Sequence, residues 1–246
     1  MPSDTTLSGN RALVTGASSG IGEATAHAFA REGAAVALAA RREDRLAAVA
    51  ERLRSEHDAE ALVVPTDVRE EAAVEEMVAE TVDSLGGLDV LVNNVGLARG
   101  SDVEGMTTEQ YRTMMDVNCD GYFFPTRAAL PHLRESGGTL AFVGSFAGQF
   151  PRPFNPVYAA TKWWVRGFAK SVSASVGDDV AVTVVNPSEV RTEFGGDIGD
   201  PFKERFDPGE VTEPGEVAEA LAYAAAQEPS MVAELDLYRR DKLAFF

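Results

Sequence analysis

Tyr158 and Lys162 stand four residues apart in the run Val157-Tyr158-Ala159-Ala160-Thr161-Lys162. On a helix that spacing puts both side chains on one face. A free phenol ionises at about pH 10, so it needs a nearby positive charge to trade protons close to neutrality. A lysine one turn away supplies that charge. Such pairs also arise by chance on solvated helix faces, so the pair needs company. Ser145 lies thirteen residues upstream, and its hydroxyl can hold a substrate oxygen beside the phenol. The trio reads as an acid/base site. The lone cysteine, Cys119, reads as a small buried side chain, because no histidine is placed to activate it.

A second cluster suits phosphate. The run Thr15-Gly16-Ala17-Ser18-Ser19-Gly20-Ile21-Gly22 sits between an apolar stretch and a helical one. Gly16 permits a tight turn, Gly20 lets a backbone approach a pyrophosphate, and Gly22 lets helix and strand pack closely. A helix that opens here offers free N–H groups and its positive dipole end. The turn, with Ser18, Ser19 and Ile21, is therefore a candidate nucleotide cradle. A strand reading follows at Ala35 to Ala40, and Arg41-Arg42 come directly after it. Where NAD-binding chains place an acid to meet the ribose 2′-OH, this chain places guanidinium groups that can grip a 2′-phosphate. The expected cofactor is NADP(H) rather than NAD(H), with Arg41 and Arg42 among its ligands.

These residues need a scaffold that brings them together. Strands are expected at 11–15, 35–40, 61–65, 88–92, 139–143, 180–185 and 234–238. Helices are expected at 22–31, 43–57, 70–85, 107–135, 157–176 and 213–227. Such alternation implies β-α-β units, a parallel sheet covered on both faces, and right-handed crossovers. The expected fold is α/β, a doubly wound, Rossmann-type sheet in three layers, with residues 1–246 as a single domain. Residues 195–212 show no period and are expected to form an irregular substrate lid.

Bulk properties narrow the partners. The 246 residues carry 39 acidic and 22 basic side chains, for a net charge of -17. That balance argues against nucleic acid and anionic membranes. Only Lys162, Lys170, Lys203 and Lys242 are lysines; the other basic residues are arginines. An acidic, lysine-poor chain resembles proteins of salt-loving organisms, and its thermal stability is expected to rise between low and molar salt. A merely acidic enzyme would show no such rise. Residues 1–10 lack the basic start and apolar core of a signal peptide, and no apolar run is long enough to span a membrane. A cytoplasmic location is expected. The histidines His27, His57 and His132 fall on separate expected helices and offer neither metal-ligand spacing nor a triad, so no metal site is expected.

The pattern T-G-x-x-x-G-I-G at Thr15 to Gly22 resembles the short-chain dehydrogenase/reductase family. Further matches fall in the family's order: Asp67-Val68, Asn93-Asn94-Val95-Gly96, Ser145, and Tyr158 to Lys162. The resemblance runs from about Arg11 to Tyr238. It implies that Asn118 joins Ser145, Tyr158 and Lys162 in a catalytic tetrad, supporting a proton relay. It implies that Lys162 also holds the nicotinamide ribose, that Asp67 and Val68 border the adenine, and that Asn94 and Gly96 lie along the nucleotide. Asn186-Pro187-Ser188-Glu189-Val190-Arg191-Thr192 is similar to the family's N-P-G-x-V-x-T, so Pro187, Val190 and Thr192 are expected near the nicotinamide. Ser188 stands where glycine is usual, and serine tolerates positive φ poorly. The resemblance implies hydride transfer between NADP(H) and a secondary alcohol or its ketone or aldehyde, with local wording like that of members acting on small hydroxy acids and alcohols. It also implies a homotetramer or homodimer, and Trp163 and Trp164 read as packing or interface residues. Two alternatives stay open. One is a 3-oxoacyl-carrier-protein reductase, which would need basic residues such as Arg152, Arg166 and Arg191 near the site. The other is a catalytically silent NADP(H)-binding sensor.

Overall fold

The structure is a computed structural model that describes residues 6–195 and 199–245. Seven strands form one sheet: β1 (Arg11–Thr15), β2 (Ala35–Ala40), β3 (Ala61–Pro65), β4 (Val90–Asn93), β5 (Thr139–Val143), β6 (Ala181–Pro187) and β7 (Glu234–Leu237). Their order is β3-β2-β1-β4-β5-β6-β7, and every pairing is parallel. The chain reverses its direction of winding between β1 and β4. In a doubly wound sheet that reversal opens a crevice beyond the carboxyl ends of the strands.

The strands are apolar without a break because both faces are covered. Side chains still alternate between faces. Ala12 and Val14 of β1, with Val36 and Leu38 of β2, join one buried cluster with Phe29, Leu46 and Leu221. Leu13, Ala37 and Ala39 join the other, with Met77, Leu133 and Val165. The helices that supply these residues are α1 (Gly20–Arg31), α2 (Glu43–His57) and α8 (Pro214–Ala225) on one side. On the other are α3 (Glu71–Leu85), α5 (Gly121–Ser136) and α6 (Pro156–Val176). Each large apolar side chain taken from water on either face contributes about 1.5–3 kcal/mol.

The single helix expected at 107–135 is interrupted. It begins as α4 (Thr108–Met115), widens into a π-turn over Asp116–Asp120, and resumes as α5. Two side-chain facts accompany that turn. The amide of Asn118 pairs with both the N–H and the C=O of Leu97, at 2.9 and 2.8 Å. At Gly121 the helix runs so close to the crevice that a Cβ would lie 2.8 Å from a Val68 methyl. Within the expected lid, residues 196–198 lie outside the described residues, and a short helix α7 (Phe202–Arg205) stands where no period was visible.

Candidate active site

The glycine turn works by close approach. Gly16 and Gly20 have φ of 67° and 59°. A Cβ on Gly22 would lie 2.4 Å from the Gly16 carbonyl oxygen, and one on Gly16 would lie 2.8 Å from Asn94 Nδ2. Gly22 therefore serves packing and lines no part of the crevice. Asn94 ties β4 to β1: its N–H donates to Thr15 Oγ1 at 3.0 Å and its Nδ2 to the Thr15 carbonyl at 2.9 Å. Gly16, Ser18, Ser19, Gly20 and Ile21 line a cleft of about 450 Å³. Arg41, Arg42, Asp67, Val68, Asn94, Gly96 and Thr192 line the same cleft. Arg42 Nη2 donates to Ser18 Oγ at 2.9 Å and to Ser19 Oγ at 3.0 Å, so the arginine braces the turn. Arg41 is exposed and has no ion pair or hydrogen bond among the described residues. The Asp67 carboxylate is held by Arg69, whose hydrogen bonds keep it below its usual range against the opposing effect of burial.

A second cavity, of about 230 Å³, is lined by Ser145, Tyr158, Lys162, Pro187 and Val190. It shares Ile21, Asn94, Gly96, Ala98, Thr192 and Phe194 with the cleft, so the two are continuous. Ser145 ends the extended backbone after β5, and its N–H donates to Asn186 Oδ1 at 3.3 Å. A Cβ at Gly144 would meet that same oxygen at 2.1 Å, which fixes glycine there. Ser145 Oγ accepts from the Ala147 N–H at 3.1 Å, which leaves the hydroxyl proton to donate elsewhere. Tyr158 sits in the first turn of α6. Asn155 caps that helix by accepting from the Tyr158 N–H at 3.2 Å, and Pro156 opens it.

Burial and two neighbouring groups act on the ionisation of Tyr158. Burial raises its pKa; a hydrogen bond from Ser145 and the charge of Arg152 pull it back down. The Lys162 ammonium is buried and donates to Tyr122 OH at 3.1 Å and to the Val143 carbonyl at 3.0 Å. Tyr122 OH donates to the same carbonyl at 2.8 Å. Tyr122 was invisible as a site residue in the sequence, since only the helix crossing brings it under Lys162. Asn118 is buried and linked through Thr161 to this helix, its Nδ2 donating to Thr161 Oγ1 at 3.1 Å.

Burial lowers the Lys162 pKa from 10.5 to about 8. Between those values the unfolded chain binds the extra proton, so stability rises with pH there. Relative to Lys162→Met, the wild-type protein gains roughly 3 kcal/mol between pH 8 and 10.5. Denaturant titrations of both proteins at the two pH values measure this; parallel changes in the pair would show that the ammonium is not desolvated.

Several residues fall elsewhere than expected. Arg166 is paired with Glu234 and Arg191 with Glu213, so of the three basic candidates for an acidic carrier only Arg152 faces the cavity. Ser188 does not adopt positive φ; its N–H donates to the Leu237 carbonyl and its hydroxyl accepts from the Arg239 N–H, both at 3.0 Å. The histidines are less scattered than their spacing suggested. Because α1 and α2 lie side by side, His27 Nδ1 comes within 3.2 Å of His57 Nε2 and 3.5 Å of Glu56. The other ring nitrogen of His27 is buried without a partner, whereas a metal-bound imidazole ordinarily has one. Toward the C-terminus, Lys242 is buried, binds Glu189 and lies over the Phe146 ring, while Leu243 is exposed. Residues 1–5 and 246 lie outside the described residues. No helix among the described residues is long and apolar enough to cross a membrane.

Residues 10–201 match the family model described as short chain dehydrogenase. Among curated proteins, 11-beta-hydroxysteroid dehydrogenase A of Sesamum indicum is 38% identical over 191 residues, or 76% of this chain and 54% of that protein. The chain thus spans about half the length of that relative. Glucose 1-dehydrogenase of Gluconobacter oxydans is 34% identical over 241 residues, covering 94% of this chain and 91% of that one. Among solved structures, the alcohol dehydrogenase of the archaeon Thermococcus sibiricus, complexed with 5-hydroxy-NADP, superposes with a TM-score of 0.87 at 33% identity. That match covers 93% of this chain and 96% of the other.

Proposed function

The chain belongs to the short chain dehydrogenase family, and on that premise we propose that it is an NADP(H)-dependent oxidoreductase interconverting a secondary alcohol and its carbonyl, with Tyr158 as acid/base. One observation carries the reading. Ser145, Tyr158 and Lys162 line a cavity that opens into the glycine-lined cleft through Asn94, Gly96 and Thr192. The cleft suits a dinucleotide: its glycine turn opens helix α1 at the cleft wall, and two arginines stand at the end of β2. The cofactor in the Thermococcus sibiricus structure supports the NADP(H) choice.

A bound nicotinamide supplies the hydride in reduction and accepts it in oxidation. The chain's own residues handle the oxygen and its proton. Ser145 turns its hydroxyl proton from the Tyr158 phenol to the substrate oxygen and orients it. Tyr158, raised by burial, is a neutral phenol near pH 7, which is the form needed to protonate a developing alkoxide. Lys162 stays mostly charged at neutrality with its pKa of about 8, and its role in this reading is to hold the nicotinamide ribose. Asn118 supports a relay by fixing the loop after β4 against α6.

Pairing of Arg166 and Arg191 within the fold weakens the carrier-protein reductase reading. Retention of both Tyr158 and Lys162 weakens the silent-sensor reading. A homo-oligomer, joined through α4, α5 and α6, is supported by the exposed Tyr111, Phe123, Trp163 and Trp164 on those helices. The test is a panel of ketones and aldehydes with NADPH and NADH, followed by cofactor absorbance. Turnover is expected, faster with NADPH. Tight NADPH binding without any turnover would favour the sensor instead.

A further inference from the structure

We propose that the substrate carries a carboxylate and that Arg152, helped by Arg205, reads it. The proposal rests on the alcohol–carbonyl chemistry above and narrows the class of molecule to a small hydroxy acid or oxo acid. In a chain of net charge -17, most cations near the site are spent on neighbouring acids. Arg45 and Lys203 both hold Glu193, at 3.0 and 3.3 Å, and Arg191 holds Glu213. Arg152 and Arg205 are different. Both line the cavity that holds Tyr158.

The Arg152 guanidinium lies over the rings of Phe146 and Phe154, at 5.1 and 5.5 Å. Its nearest carboxylate, Glu189, is 3.8 Å away and makes no hydrogen bond to it. Glu189 is instead bound by the buried Lys242. The Arg205 guanidinium lies over Phe202 and Phe206, at 5.4 and 5.7 Å, and pairs with no acid among the described residues. Around Glu189 and Asp241 stand three cations, Arg152, Arg239 and Lys242, so this wall keeps a positive surplus before Arg205 is counted. A guanidinium has five donors in a planar fork that matches a carboxylate. Resting on an aromatic face, with that fork turned to a cavity, it is already oriented for an anion.

The rest of the wall decides what else the anion is attached to. Phe154, Phe194, Phe202 and Phe206 supply hydrocarbon surface beside Arg152 and Arg205 in a space of about 230 Å³. A short acid places its carboxylate on Arg152, its chain on the rings and its carbinol at Ser145 and Tyr158. The influence of Arg152 on the Tyr158 phenol agrees with this, since it puts the two groups within electrostatic reach.

The experiment pairs short 2-, 3- and 4-hydroxy acids with their methyl esters, using NADP⁺ and the full chain. The expected result is a kcat/KM at least about tenfold higher for an acid than for its ester. In Arg152→Gln the acid loses on the order of 100-fold more than the ester, mainly through KM, and Arg152→Lys recovers part of the difference. Arg205→Gln gives a smaller loss of the same kind. Equal use of acid and ester by the wild-type protein, or equal losses for both in Arg152→Gln, overturns the proposal. So does turnover of neutral alcohols with no acid used, a result that leaves the oxidoreductase reading intact. If nothing is turned over, that reading fails, and calorimetric titration of the NADP⁺-saturated protein with butyrate and butyramide decides this one. Butyrate binding that disappears in Arg152→Gln upholds the anion site; equal binding of the two, or none, overturns it.

Discussion

Tyr158→Phe keeps NADPH binding within about twofold of wild type and loses on the order of 1,000-fold or more in kcat, the upper part of the range for general acid–base catalysis. The ring makes a tilted contact with Phe194 at 5.5 Å, and phenylalanine preserves it, so packing is retained while the proton is lost. Ser145 and Lys162 remain to orient the oxygen and the ribose, which confines the loss to proton transfer. A second signature comes from pH. Burial raises the Tyr158 pKa, so the group that must be deprotonated for alcohol oxidation titrates above the usual phenol range unless a bound cation lowers it. Oxidation in the wild-type protein should therefore climb with pH, and the residual activity of Tyr158→Phe should lack that limb. Single-turnover rates across pH with a saturating alcohol measure both effects. A variant with near-native turnover would remove Tyr158 from the mechanism.

Local pattern carried much of the fold. Every strand lies within about two residues of its expected position, because short apolar runs bounded by turn residues report burial directly. The glycine turn was legible for a similar reason: Gly16, Gly20 and Gly22 act by allowing close approach of neighbouring atoms, and a missing Cβ is visible in a sequence. What stayed hidden depends on contacts across the fold. No period marks the π-turn at Asp116–Asp120, which accompanies the Asn118 bonds to Leu97. Tyr122 reaches Lys162 from a different helix, so the helical neighbourhood of Tyr158 and Lys162 says nothing about where the ammonium points. In this structure the lysine donates to a phenol and a carbonyl, and Arg152, six residues before Tyr158, also acts on the Tyr158 phenol. The Asn186 contacts that seat Ser145 and fill the space above Gly144 join β5 to β6 and were equally out of reach.

The arginines after β2 separate two roles that one substitution each can distinguish. Arg41 is exposed and makes no hydrogen bond or ion pair among the described residues, so its guanidinium donors are available to a 2′-phosphate. Arg42 is already committed to Ser18 and Ser19 and stands 3.6 Å from Glu193. Arg41→Ala should therefore weaken NADPH by about 10- to 100-fold, the worth of one or two hydrogen bonds to a charged group, and leave NADH nearly unchanged. Arg42→Ala should weaken both cofactors, because it removes a brace from the turn that meets the shared pyrophosphate as well as a charge near the 2′-phosphate. Salt offers an independent check: the exposed Arg41 contribution is screened, so the wild-type preference for NADPH should shrink as ionic strength rises, and that slope should flatten in Arg41→Ala. Dissociation constants for NADPH and NADH at low and high salt give all four quantities. An NADPH/NADH ratio that does not move in Arg41→Ala would remove the guanidinium from cofactor selection, and with it the argument that an absent acid at Ala40 marks this chain for NADP(H).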